Sequence, residues 1–329
     1  MFKNARIVAV NAVQSEYMKQ EHPRGDARFT MSVGGLKQFT HCPSRWRAGI
    51  DTEDTKSTDW GSLIDCLVMT PTQFNERFAI TPATYPDRKT GEAKDWSGNA
   101  TYCREWKKDK VAQGKQIVKE EDHVLALKAV SRLLSDWRIK AWVESCDFQV
   151  WMAAEWHDEP TGLVIPFKTM LDFRPRNDSE FYQHLGDLKC IKSAALVPFQ
   201  RQVFQYGWHI QAAAYADVYV AAFPQEDRNT WCWIIQENYE PYQFGRRILS
   251  QDFLKLGRAQ YTKALANYCQ CLKANQWPGF DDTDESADGW SIVSQEPWMD
   301  GAVLFAPKYD FESAEAEPGP ASDPDDITP

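Results

Sequence analysis

The spacing of apolar residues changes character once along the chain. As far as Trp142 they recur mostly at helical spacing, and beyond it they gather in dense runs of strand type. In the first part, "SVGGLKQFTHCPSRWRAGI" (32–50) puts Leu36, Phe39 and Trp46 on a helical period, with Ser32 as its cap. Residues 57–78 begin with capping residues and run apolar to Met69, which predicts a second, buried helix. Residues 120–139 form a strongly amphipathic helix by spacing. Between these two, residues 81–115 are polar and rich in Lys and Gly, and read as a long loop with one short helix.

Beyond Trp142, "DFQVWMAAEW", the turn-like "HDEPTG" and "LVIPFKTMLDFRP" predict a β-hairpin, and "FYQHLGDLKCI" a third strand. A long helix over 197–223, a strand over 229–238 and a closing helix over 251–275 follow. This order describes an α/β domain with a mixed central sheet, built from the second half of the chain and flanked by helices. No internal repeat or Gly/Ser linker divides residues 30–306, which are taken as one domain between an N-terminal arm (1–29) and an acidic, disordered tail (307–329).

With 329 residues, 43% of them hydrophobic, the chain can fill a substantial core. No segment approaches the roughly 18 consecutive apolar residues of a membrane helix, and the N-terminus lacks the apolar run of a signal peptide, so a cytoplasmic protein is expected. The eight cysteines are scattered and contain no CxxC, which suits reduced, structural thiols. Charge is divided unevenly. Residues 281–329 hold 14 acids against Lys308, a net of −13, so the overall −10 leaves +3 for residues 1–280.

One short stretch does not fit a plain core strand. In "LGDLKCI" (185–191), Asp187 and Lys189 stand two apart and share a face, while Leu188 points into the opposite layer. The pattern [DE]-x-K also occurs at Asp54/Lys56, Glu92/Lys94 and Glu105/Lys107, but those lie in polar segments where a solvated charge suffices. Asp172 ends the preceding strand. If the two strands are neighbours, Asp172 and Asp187 converge, repel and call for a cation. A salt bridge with Lys189 is the simpler answer; the alternative is Mg²⁺ or Mn²⁺ on the two carboxylates and a backbone carbonyl. Gln211 and Tyr215 lie one turn apart on one helix face, which fits a packed Ala-rich helix as well as a pair aimed at a phosphate. Asp65 sits in an apolar helix and needs a partner, and Glu155 is a weaker candidate for the same place.

Taken in order, Gly61-Ser62-x-x-Asp65, Asp172, Asp187-Leu188-Lys189 and Gln211-x-x-x-Tyr215 resemble the PD-(D/E)XK (restriction-endonuclease-like) nuclease superfamily, and within it the phage-type exonuclease VIII (RecE-like) group. "SVGGLKQFTHCPSRW", "YCQCLKANQWPGF" and "SIVSQEPWM" are similar to that group's opening and closing segments, so the resemblance covers about residues 30–300. It implies that Asp172, Asp187 and the Leu188 carbonyl hold a metal, with Asp65 beside them. Lys189 would be the catalytic lysine, and Gln211 and Tyr215 would lie near DNA. Two positions depart from the pattern: Asp65 stands where the family usually has His, and Leu171 where the superfamily's name has Pro. A carboxylate still binds a hard cation but lacks the proton that imidazole donates. Cys42 with Cys269 and Cys271 lacks one ligand and the spacing of the class's iron–sulfur members.

The expectation is therefore a metal-dependent deoxyribonuclease acting on linear duplex ends. The resemblance adds 5′→3′ polarity, a role in phage-type homologous recombination, a single-strand-annealing partner and a ring-like oligomer. Arg45, Arg47, Lys107, Lys108, Lys110, Lys115 and Lys119, with Tyr102 and Trp106 among them, are candidates for a DNA backbone track or else a solvated surface. The acidic tail is read either as a solvated end or as a competitor for that basic body. A structure-selective endonuclease would share the chemistry. The rival reading is a catalytically silent, nuclease-fold DNA-binding or regulatory module.

Overall fold

Residues 146–158 and 163–175 form the longest strands because apolar side chains alternate along both and a tight turn, with Gly162 in the left-handed region, joins them. The computed structural model describes residues 1–50, 56–228 and 230–280. The expected disordered tail and the segment "SIVSQEPWM" lie outside them.

In chain order the elements are β1 (Phe2–Ala9), α1 (Gln14–Met18), β2 (Met31–Ser32), α2 (Val33–His41), α3 (Pro43–Arg47), α4 (Lys56–Met69) and α5 (Phe74–Arg77). Next come β3 (Phe78–Ile80), β4 (Thr84–Pro86), β5 (Ala93–Asp95), α6 (Thr101–Ala112), β6 (Gln116–Val118), α7 (Glu120–Leu134) and α8 (Trp137–Glu144). The second half contributes β7 (Cys146–Asp158), β8 (Leu163–Pro175), β9 (His184–Ile191), α9 (Leu196–Gln205), α10 (Trp208–Ala222), β10 (Thr230–Glu237), β11 (Phe244–Ile248) and α11 (Gln251–Ala274).

The main sheet runs β1-β7-β8-β9-β10-β11, with β2 also paired to β8. It is mixed: β9 and β10 are parallel and β2 is parallel to β8, while the other pairs are antiparallel. Each face is covered by helices. On one side Leu185 and Ile191 of β9 join residues of α2, α9, α10 and α11; on the other Leu188 joins α4, α7 and α8.

Sequence expectations and structure differ in four places. The arm expected over 1–29 supplies an edge strand, since β1 pairs with β7 from Phe2↔Trp156 to Ala9↔Trp151. The long loop over 81–115 contains the β4–β5 hairpin and a twelve-residue helix, α6. The amphipathic helix of 120–139 ends at Leu134, and Asp136 caps a new one by accepting from the N–H groups of Arg138 and Ile139. Finally, the helix expected over 197–223 breaks at Gly207, whose φ of 62° is left-handed. The carbonyl of Tyr206 just before it accepts from Lys37 Nζ at 2.8 Å. Ser32 does cap α2, accepting from Gly35 N–H at 3.2 Å.

Candidate active site

The site is a fork in the sheet. One edge of β8 pairs with β7 throughout, whereas the other pairs with β2 at Phe167 and Lys168 and with β9 only at Phe173↔Gly186. Between those points β8 and β9 splay apart. At the splay the Asp172 carboxylate takes the place of a ladder carbonyl: its Oδ2 accepts the backbone N–H of Leu188 at 3.1 Å. Asp172 and Asp187 thus end up on opposite sides of one gap, as neighbouring strands would place them.

A cleft of about 230 Å³ opens there, and Asp65, Asp172, Asp187, Leu188, Lys189, Gln211 and Tyr215 all line it. Asp187 is buried at 2% exposure, accepts from Gln211 Nε2 at 3.2 Å and is ion-paired with Lys189. The salt bridge expected as the simpler answer is therefore present, and it accounts for Asp187 alone. Asp172 keeps part of its surface open to the cleft and has no such cation in contact. Burial, then the charges of Asp187 and Asp65, hold its carboxyl well above the usual carboxylate range. Asp65 reaches the cleft from α4 in the other helical layer; burial pushes it up to about 7, with Asp187 adding and Lys189 and Arg77 opposing. For Lys189 burial works to lower the pKa, but Asp187 and Asp172 outweigh it and the ammonium is held above its ordinary value.

This donor set fits a hard divalent cation. One ammonium faces three carboxylates, and the raised Asp172 and Asp65 record the uncompensated repulsion that a cation would relieve. Among the described residues no three His, Cys, Asp or Glu side chains are grouped to hold a metal between them. A cation here would therefore draw on Asp172, Asp187, a backbone carbonyl and water, as Mg²⁺ sites commonly do.

Of the other expected residues, Tyr215 is buried at 7% exposure on the helix face that carries Gln211; its hydroxyl engages the Met170 backbone and Tyr17, and burial pushes it up to about 12. Glu155 is not part of the site. It lies towards the β1 edge, accepting from Asn4 Nδ2 at 2.6 Å and contacting His157 at 3.1 Å. Arg45 and Arg47 are exposed on α3, and Arg47 stands 5.8 Å over the Trp277 ring. Lys107 and Lys108 are on α6, and neither lines the cleft. Tyr102 and Trp106 of that helix pack against Tyr85 and Trp96 at ring distances of 6.0 and 5.3 Å, and Lys115 binds the Asn75 carbonyl at 2.8 Å. This part of the proposed track is thus tied to its own hairpin and to α5.

Three features escaped the sequence reading. Gln149, in the left-handed region at φ 44°, donates to Asp172 Oδ1 at 3.2 Å and so orients the carboxylate from behind. Arg77 lines the cleft and opposes the raised pKa of Asp65. Lys168, buried at 4% exposure without a carboxylate partner, donates to the backbone carbonyls of Tyr17 and Lys19, pinning the N-terminal segment that brings Gln14 and Tyr17 to the cleft. A polar residue inside an apolar run, Gln149 in "DFQVW" and Lys168 in "VIPFKTM", was the available signal.

With this geometry in view, the comparisons with known proteins fall into place. Residues 32–285 match the model of a family described as a PDDEXK-like domain of unknown function (DUF3799). A crystal structure of a "Putative exonuclease" from Eubacterium rectale, 15% identical, aligns over 89% of this chain and 99% of that one with a TM-score of 0.52, a likeness of fold. No curated protein is significantly similar in sequence. No described helix is long and apolar enough to cross a membrane. Spanning most of the chain and enclosing every residue of the forked cleft from Asp65 to Tyr215, the family match shows that this chain belongs to the PDDEXK-like family and carries a PD-(D/E)XK core.

Proposed function

We propose that the protein is a metal-dependent DNA nuclease with its reaction centre at the β8–β9 fork. The observation that carries this reading is the convergence of Asp172 and Asp187 beside a single ammonium, Lys189, in a cleft where Asp172 has no cation of its own. Asp172, Asp187 and the Leu188 carbonyl would hold Mg²⁺ or Mn²⁺, with Asp65 adjacent. The bound ion supplies Lewis acidity toward a phosphodiester oxygen and acidifies a water. The protein's own groups do the rest. Held protonated by its two carboxylate neighbours, Lys189 offers charge and N–H donors to developing negative charge on phosphate rather than a lone pair for general-base work. Gln211 fixes Asp187, while Gln149 and the Leu188 N–H fix Asp172, so both carboxylates are oriented before substrate arrives.

The finer reading rests on the RecE-like resemblance: 5′→3′ digestion of linear duplex ends during phage-type recombination, with a single-strand-annealing protein as partner and a ring-like homo-oligomer. A family member called an exonuclease among the fold's solved relatives is consistent with it. End-labelled linear duplex and closed circular DNA, each with Mg²⁺ or with EDTA, form the test. Metal-dependent loss of the linear form, with the 5′ label released first and the circle spared, is the expected result. Cleavage of the circle would make the enzyme an endonuclease. No cleavage by folded, DNA-binding protein would leave the silent binding module.

A further inference from the structure

The largest groove of the molecule, about 870 Å³, is not the forked cleft but runs beside it, between α2, the α9–α10 turn and α11. Its lining is chemically one-sided. Lys37, Arg45 and Lys263 contribute permanent positive charge, and no Asp or Glu lines it, in a chain where acids outnumber bases 47 to 37. Two large aromatic rings stand on its wall in solvent, Phe204 at 59% exposure and Tyr206 at 51%. The turn that carries them is fixed by left-handed Gly207 and by the bond from Lys37 to the Tyr206 carbonyl. The groove is also continuous with the reaction centre. Lys189 Nζ lies 5.5 Å from the Trp208 ring, which lies 5.3 Å from the Tyr206 ring. Lys37 is near enough to feel the charges of both Lys189 and Asp187.

We propose that this groove holds a single-stranded segment of the DNA substrate, its phosphates on Lys37, Arg45 and Lys263 and its bases against Phe204 and Tyr206. The proposal rests on the nuclease reading and adds to it where a strand lies next to the scissile phosphate. Cations without carboxylates match a polyanion, and exposed rings match unpaired bases, whose π-faces a duplex hides in its own stack. A duplex alone would need the cations and leave the two rings without a role.

The test is fluorescence anisotropy in EDTA, so that nothing is cleaved, using the full chain. The probes are a labelled thymidine oligomer of about a dozen nucleotides and a hairpin duplex with the same label. The variants are the double change Phe204→Ala with Tyr206→Ala and the single change Arg45→Ala, all at exposed side chains, each with its melting temperature measured. The double variant is expected to bind the oligomer about 10-fold or more weakly while the duplex changes less than about twofold. Arg45→Ala is expected to reduce the slope of log affinity against log salt on the oligomer by about 0.7. Unchanged oligomer binding in both variants, or equal losses on oligomer and duplex, overturns the groove assignment. A parent protein that binds no oligomer yet degrades linear duplex with Mg²⁺ also overturns it while leaving the nuclease reading intact; failure of that degradation is a separate result against the nuclease reading itself.

Discussion

Replacing Arg228 with methionine should weaken the whole domain, although Arg228 touches no residue of the cleft. The side chain is buried at 2% exposure. Its guanidinium donates to Glu226 at 2.7 Å, to the carbonyls of Pro175 and Tyr182 at 2.7 and 2.8 Å, and to Asn177 Oδ1 at 2.6 Å. Pro175 ends β8 and Tyr182 stands just ahead of β9, so one residue ties both ends of the loop between the strand of Asp172 and that of Asp187. Methionine keeps most of the stem and loses every one of these bonds. Removing one member of a buried ion pair costs about 3–5 kcal/mol, and the two stranded carbonyls reinforce that cost. Glu226 retains the Tyr219 hydroxyl at 2.6 Å and Arg174 at 3.8 Å, so the charge left behind is not wholly uncompensated and the range is not exceeded. At roughly 2–4 °C per kcal/mol, the melting temperature should fall by about 6–20 °C in a thermal melt followed by circular dichroism. The pH dependence has a definite sign. Burial would raise Glu226, but its bonds from Tyr219 and Arg228 leave it below the ordinary value. Its contribution is therefore present above the unfolded glutamate pKa of about 4.3 and is lost as pH falls through the lower folded value. The variant should show less of that acid loss. A melting temperature within about 2 °C of the parent at neutral pH would refute the reasoning.

Three further outcomes are expected. Gly186→Ala would place a Cβ 2.4 Å from the Trp142 ring and 3.1 Å from the Cys232 carbonyl in the core beside Asp187, so it should cost about 1–3 kcal/mol in a urea titration; no shift of the midpoint would contradict the packing. Gln149→Ala removes the donor behind Asp172 and should weaken Mn²⁺ binding by about 10–100-fold in calorimetry, against no change if Gln149 only fills space. Asp65→Asn should alter how stability depends on pH in EDTA. With a folded value of about 7, above the unfolded value of about 3.9, Asp65 adds stability that is fully present below the unfolded value and lost as pH rises through the folded one. The parent's melting temperature should therefore decline across that window relative to the variant, and parallel curves would count against the raised carboxyl.

The parts legible in the sequence were those with strong local signals. The period-2 runs of β7 and β8 and the Ser32 cap fixed their own conformations, and the pairing of Asp187 with Lys189 followed from strand alternation. Convergence of Asp172 and Asp187 needed only that consecutive strands be neighbours. What failed depended on distant partners. Residues 2–9 alternate weakly and become a strand because the free edge of β7 offers them a ladder. The break at Gly207 was hidden in an otherwise helical pattern, because a single glycine signals a left-handed residue only once something, here Lys37, caps the turn. Gln149 and Lys168 were passed over because a polar residue in a strand gains meaning only from what it meets across the fold, a carboxylate for one and two backbone carbonyls for the other. Glu155 was misassigned for the same reason, since strand position alone did not say that it would end among Asn4 and His157.

The central claim is that Asp172, Asp187 and Lys189 form one metal-dependent centre for cleaving DNA. Single-turnover degradation of linear duplex DNA with Mg²⁺ by the parent and by Asp172→Asn, Asp187→Asn and Lys189→Met tests it most directly, with a melting curve for each protein. The account expects cleavage by the parent that EDTA abolishes, and rates lower by at least about 100-fold in each folded variant. A folded Asp187→Asn or Lys189→Met protein that cleaves at the parent's rate, or a parent indifferent to EDTA, would contradict it.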